Sequence, residues 1–128
     1  MFDKYVIVAD SLRNVSESGE VTGFSLEARI PYYRGLGLSM VDVHLSVDGE
    51  PVPASDITFT VHGNSYRADQ MGEVYDDRWG FTEAALLTVV RPGGLPAGEH
   101  DVRLHVALRV SYNPGGNHGI DVKRLAVA

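Results

Sequence analysis

Gly98–Tyr112 reads GEHDVRLHVALRVSY, and its pattern decides the fold. Val102, Leu104, Val106, Leu108 and Val110 are apolar, while Asp101, Arg103, His105 and Arg109 fall between them. Strict alternation sends the two sets to opposite faces of a β-strand. Ala107 interrupts the pattern but is small enough for either face. No Gly or Pro breaks the run from Glu99 to Tyr112. A long strand with one clean apolar face needs a second layer over that face, and the direct solution is one sheet packed on another.

The flanking sequence extends the same reading. Upstream, Pro92-Gly93-Gly94-Leu95-Pro96 is a turn cluster, and Gly80–Val90 is a strand with Phe81, Ala85, Leu87 and Val89 on one face. Downstream, Asn113–Gly119 is a glycine-rich turn and Ile120–Val127 a final strand. Towards the N-terminus, Ile57–His62 alternates Ile57, Phe59 and Val61 with Thr58, Thr60 and His62. Leu38–Val47 alternates Val41, Val43, Leu45 and Val47 with Asp42, His44 and Ser46. Asp48-Gly49 after it predicts a hairpin, because both residues tolerate the positive φ of a type I′ turn. Thr22–Ile30 turns Phe24, Leu26, Ala28 and Ile30 inward and stops at Pro31, which lacks a ladder donor. Lys4–Asp10 is a first strand, apolar on both faces around Val6–Val8, and the polar stretch Ser11–Glu20 is a loop. No segment has helical periodicity. The expectation is an all-β protein, an antiparallel β-sandwich forming a single domain over residues 1–128.

Bulk properties fit one soluble domain: 128 residues, 44% hydrophobic and 22% charged. Cysteine is absent, so neither disulfides nor thiolate-bound metal hold the fold, which fits a reducing, cytoplasmic setting. The start, MFDKYVIVAD, lacks the long apolar run of a signal peptide, and no apolar run reaches membrane-spanning length. A net charge of −6 argues against nucleic acid as the main partner.

Self-sufficient chemistry is hard to find. His44, His62 and His105 lie on polar strand faces, and a cupin-like three-histidine metal centre is conceivable from them, but no HxH or HxxxH spacing supports it. Asp76-Asp77 with Glu73 offers carboxylates for acid–base work, yet a solvated acidic loop paired with Arg78 explains them more simply. There is no nucleophile elbow and no phosphate loop, and GLGLS at Gly35–Ser39 precedes a strand rather than a helix. The richest stretch is Asn64–Trp79, NSYRADQMGEVYDDRW, which breaks every period and reads as a long loop. Tyr66, Arg67, Met71, Tyr75, Arg78 and Trp79 here, with Tyr32, Tyr33 and Arg34 earlier, are the residue types found where proteins meet partners or aromatic and sugar rings. The competing reading is that Tyr75 and Trp79 cap the end of the core. These features suit a binding or accessory subunit better than a free-standing enzyme.

Four stretches carry a resemblance: MFDKYVIVADSL, GFSLEARIPYYRGLGLSMVDVHLSVDGEPV, YRADQMGEVYDDRWGF and LPAGEHDVRLHVALRVSY. In these the chain resembles the small (β) subunit of bacterial C-glycoside deglycosidases. The resemblance implies a β-sandwich subunit without a cofactor of its own, in a hetero-oligomer with a TIM-barrel α subunit that carries a divalent metal, Mn²⁺ being the expected ion. It implies a carbon–carbon lyase acting on 3-oxo C-glycosides with flavonoid or other aromatic aglycones. It carries over no catalytic residue to this chain. The expected contribution is binding: Asn64–Trp79 reaches the mouth of the partner barrel, where Arg67, Gln70, Met71, Tyr75 and Trp79 line the aglycone pocket. The alternatives from other classes are a stand-alone carbohydrate- or flavonoid-binding module and the cupin-like metalloenzyme.

Overall fold

The long alternating run folds as the strand Glu99–Leu108, burying Val102, Leu104, Val106 and Leu108 while Asp101 and Arg103 stay exposed. A computed structural model describes residues 6–32, 34–81, 83–109 and 116–128. In chain order its strands are β1 (Arg13–Glu17), β2 (Glu20–Ala28), β3 (Leu36–Gly37), β4 (Val41–Val47), β5 (Glu50–Val52), β6 (Ile57–Val61), β7 (Asn64–Arg67), β8 (Arg78–Trp79), β9 (Ala85–Val90), β10 (Glu99–Leu108) and β11 (Asn117–Ala126). Short 3₁₀ turns occupy Leu38–Met40, Ala54–Asp56 and Ala68–Glu73.

The strands form two main antiparallel sheets, ordered β1-β2-β9-β6-β7 and β11-β10-β4-β5, and a small β3-β8 pair closes one end. Phe24, Leu26, Phe59 and Leu87 of the first sheet and Leu45, Leu104 and Val106 of the second are buried in one common core. The architecture is therefore the expected all-β sandwich. The Asp48-Gly49 turn has positive φ at both residues, 52° and 83°, as a type I′ hairpin requires.

Several segments depart from the expectation. Lys4–Asp10 does not make a full strand among its described residues. Ile7 forms an isolated bridge to Ala28, while Val6 and Val8 exchange backbone hydrogen bonds with Arg29 and Glu27. Ser11–Glu20 is not simply a loop, since Arg13–Glu17 forms an edge strand paired with β2. Its polar sequence shows no alternation because an edge strand here buries little. Phe81 is exposed rather than part of the β9 face, which begins at Ala85. The last strand begins at Asn117, inside the predicted turn, and turns Gly119 and Asp121 inward with Ile120 and Val122 outward. Asp121 is buried for its bonds: the carboxylate, 4% exposed, accepts from the Ile7 N–H at 2.9 Å and from Lys123 Nζ at 2.5 Å. Val110 and the first residues of the predicted turn lie outside the described residues.

Candidate functional site

Asn64–Trp79 is an organised segment rather than a long loop. It starts from a hairpin at His62-Gly63, where φ is 49° and 81°, and β7 pairs back on β6. The Ala68–Glu73 turn sinks Ala68 and Met71 into the core. The chain then passes over the surface through Tyr75 and Asp76 and returns as β8, paired with Leu36 and Gly37 of β3. Trp79 is fully buried, edge-on to Phe59 at 5.1 Å between ring centroids, and its indole N–H donates to the Glu83 carbonyl at 2.9 Å. A buried tryptophan with its N–H satisfied is a strong anchor for a surface segment.

Two carboxylates stitch the exposed part together. Asp77 accepts from the Tyr66 hydroxyl at 2.6 Å, from the Arg78 N–H at 2.8 Å and from Asn64 Nδ2 at 3.3 Å, and its backbone carbonyl accepts from the Leu38 N–H at 3.0 Å. Glu83 contacts His62 Nδ1 at 2.7 Å and accepts from the backbone N–H groups of His62 and Gly80. The hydrogen bond from Tyr66, opposed by partial burial and helped by the Arg78 and Asn64 donors, holds the Asp77 carboxyl below the usual carboxylate range. The same bond pushes the Tyr66 hydroxyl up to about 12. A carboxylate with its lone pairs committed and a phenol that resists ionisation are poor proton shuttles near neutrality. Their chemistry here is positional.

The two predicted stretches meet at this end of the sandwich through β3 and β8. Arg78 Nη2 donates to the Gly35 carbonyl at 3.0 Å, which joins the Asn64–Trp79 segment to the stretch after Tyr32. Gly35 is required by this approach: a Cβ there would stand 2.7 Å from the Trp79 carbonyl oxygen. Arg34 sits over the Tyr32 ring, 5.7 Å from its centroid, a cation–π arrangement. Arg34, Arg67, Gln70, Tyr75 and Arg78 are exposed and Tyr66 is half-buried. Tyr32, Met71 and Trp79 are buried, so these three anchor the surface instead of lining it. Tyr33 lies outside the described residues. Of the two aromatics that competed for a capping role, Trp79 caps the core, whereas Tyr75 is 81% exposed. Tyr75 borders an open groove of about 300 Å³ with Gly37, Asp76, Asp77 and Arg78.

Asn64 and Glu83, which hold this arrangement, escaped the sequence reading, and His62 was weighed there only as a metal ligand. The signal available was His62-Gly63, a two-residue turn between alternating stretches. The cupin-like set is not assembled: His44 and His105 are cross-strand partners on one sheet, but His62 belongs to the other sheet's β6–β7 turn.

A sequence model of a family described as C-glycoside deglycosidase beta subunit matches residues 2–112. The C-glycoside deglycosidase beta subunit of Eubacterium cellulosolvens is 37% identical over 114 residues, covering 88% of this chain and 78% of its own. The 3′-dehydrocarminate deglycosidase beta subunit of a Microbacterium species is 30% identical over 116 residues, 89% of this chain and 83% of its own. A C-glycoside deglycosidase beta subunit from Microbacterium trichothecenolyticum is 28% identical over 92 residues, 69% and 67% of the two chains.

Proposed function

The chain belongs to the C-glycoside deglycosidase beta subunit family, and from that premise we propose that it works with an α subunit to split the carbon–carbon bond of a 3-oxo C-glycoside, presenting the Asn64–Trp79 segment to that partner. The relative named for 3′-dehydrocarminate supports a substrate already oxidised in its sugar. A C-glycoside has no glycosidic oxygen to protonate, so acid hydrolysis is closed to it. A ketone at C3 acidifies the hydrogen on C2. Removal of that proton by a base leaves an enolate, whose electron pair forms the C1–C2 double bond as the C1–aglycone bond breaks. The aromatic carbon takes the departing pair and a proton.

The α subunit is proposed to be a TIM barrel holding a divalent metal, with Mn²⁺ the expected ion, whose charge would stabilise the enolate. The β subunit supplies no catalytic group in this reading and operates in the cytoplasm. Its part is to complete the aglycone side of the site for a flavonoid or other aromatic ring. One observation carries the assignment to this end of the molecule: Tyr75 is 81% exposed on a segment pinned by Trp79, Asp77 and Glu83. A rigid, exposed aromatic loses little conformational freedom on docking, as interface anchors require.

The test is cleavage of a 3-oxo C-glucoside by this chain, by the α subunit and by their mixture. Activity confined to the mixture supports the two-subunit enzyme. Full activity of the α subunit alone, unchanged by adding this chain, refutes it.

A further inference from the structure

The outer face of the β11-β10-β4-β5 sheet carries a row of three imidazoles remote from the Tyr75 groove in sequence. His105 of β10 lies directly opposite His44 of β4. His118 of β11 pairs with Ala107, which makes it the diagonal neighbour of His105. The ring centroids are 5.3 Å apart for His44–His105 and 5.1 Å for His105–His118. His105 Nε2 and His118 Nδ1 stand 2.9 Å apart, sharing one hydrogen bond.

We infer that the His105–His118 pair is a solvent-facing binding site for a borderline divalent transition metal. Two nitrogens bound at right angles to one ion, each about 2.0–2.1 Å from it, are separated by about 2.9 Å. The observed separation therefore matches a pair of adjacent ligand positions, once each ring rotates to aim its lone pair at a common point off the N–N line. Ala107, directly opposite His118 and next to His105 on this face, carries only a methyl group, and His118 is exposed. The bridging proton must move to the far nitrogen of its own ring through solvent. Two neutral imidazoles then bind with no net proton release.

The surroundings favour the neutral ring. Burial, then the proximity of His44, His118 and Arg103, hold His105 below the ordinary imidazole range. A neutral imidazole is the form that ligates. The nearest carboxylate in register, Asp42 opposite Ala107, is engaged by Arg109. Among the described residues no three histidines or carboxylates already surround one point as ligands. The site is thus open, two positions from protein and the rest from water, and its order of preference follows imidazole chemistry, with Cu²⁺ ahead of Ni²⁺ and Zn²⁺.

The experiment is a titration of the full chain, alone or in complex with its α subunit, with Cu²⁺, Ni²⁺ and Zn²⁺ by calorimetry. Histidine proton resonances of the free chain are followed in parallel during sub-stoichiometric Cu²⁺ addition. The expected result is saturable binding that His105→Ala and His118→Ala each remove and His44→Ala leaves in place. Copper should broaden His105 and His118 before His62 or His100. The inference is overturned if the wild-type chain shows no saturable binding, if both single variants bind as well as the wild type, or if copper first broadens other histidines. None of these outcomes bears on whether the two-subunit lyase is active, so the two readings fail separately.

Discussion

Two histidine–carboxylate junctions in this sandwich use the same parts for different ends. At Asp48-Gly49, the Asp48 carboxylate meets His100 Nδ1 at 2.7 Å and accepts from the Asp101 N–H, while His100 Nε2 faces the Pro96 carbonyl at 2.7 Å. At His62-Gly63, the histidine is itself in the turn and faces Glu83, the Arg78 carbonyl and Asp77. Each junction joins a type I′ hairpin to a distant segment. His100 is 7% exposed, and its junction fastens β10 to the β4–β5 turn inside the fold. The His62 junction is exposed and fixes a surface segment whose buried residues are Ala68, Met71 and Trp79. One stabilises the sandwich; the other pre-organises a surface. Variants should therefore separate into those that lower stability and those that lower association with the α subunit.

The largest effect is expected where the two roles meet. Trp79→Ala should cost about 3–5 kcal/mol of stability, as for other buried aromatics, and abolish association, read from chemical denaturation and co-purification. If Trp79→Ala kept wild-type stability, the segment would not be anchored as described. Tyr75→Ala should leave stability within about 0.5 kcal/mol. It should nevertheless weaken the α-subunit complex about 30-fold, near 2 kcal/mol, in a binding titration. Equal affinity would remove the anchor role. Tyr66→Phe frees Asp77 from its shortest hydrogen bond; the expected outcome is a smaller loss of affinity than for Tyr75→Ala, with little change in melting temperature. A larger fall in melting temperature than in affinity would merge the two junctions into one structural class.

The gentlest test is pH. The Asp48 hydrogen bond and the Pro96 carbonyl raise His100 above the ordinary imidazole value of 6.5. A group whose folded value is raised contributes stability that is complete below its unfolded value and is lost as pH climbs through the folded one. Melting temperature should therefore decline from about pH 6.5 upward, and His100→Gln should flatten that slope. Asp48 and Asp77 are both lowered from 3.8. Their contributions are present above that value and are lost as pH falls below it, so Asp77→Asn should blunt the acid limb without touching the decline that His100 sets.

What the sequence revealed and concealed follows the same division. β4, before Asp48-Gly49, was legible because it buries one face, and the turn because Asp-Gly has one favoured geometry, whereas β5 beyond it, with Glu50 and Pro51 exposed, carries no such pattern. Asn64–Trp79 was opaque because its order comes from contacts distant in sequence: Arg78 with Gly35, Trp79 with Phe59 and Glu83, β8 with β3. No local period encodes these. The composition marked a stretch on which Tyr75 and Arg78 stand exposed. It put Met71 on the surface and left Trp79 between surface and core, because a buried anchor and an exposed one have the same residue type. The inner face of β11 was opaque for a related reason: alternation marks an apolar side, and Asp121 is buried for the hydrogen bonds it accepts from Ile7 and Lys123.

The central claim is that this chain meets its α subunit through the end built from Arg34–Gly37 and Asn64–Trp79. Amide hydrogen exchange of the chain, alone and with the α subunit bound, tests it most directly. The account predicts new protection across Gly72–Arg78 and Arg34–Gly37, with the Asp48–His100 junction unchanged. Protection confined to the Asp48–His100 end, with Gly72–Arg78 exchanging as in the free chain, would contradict it.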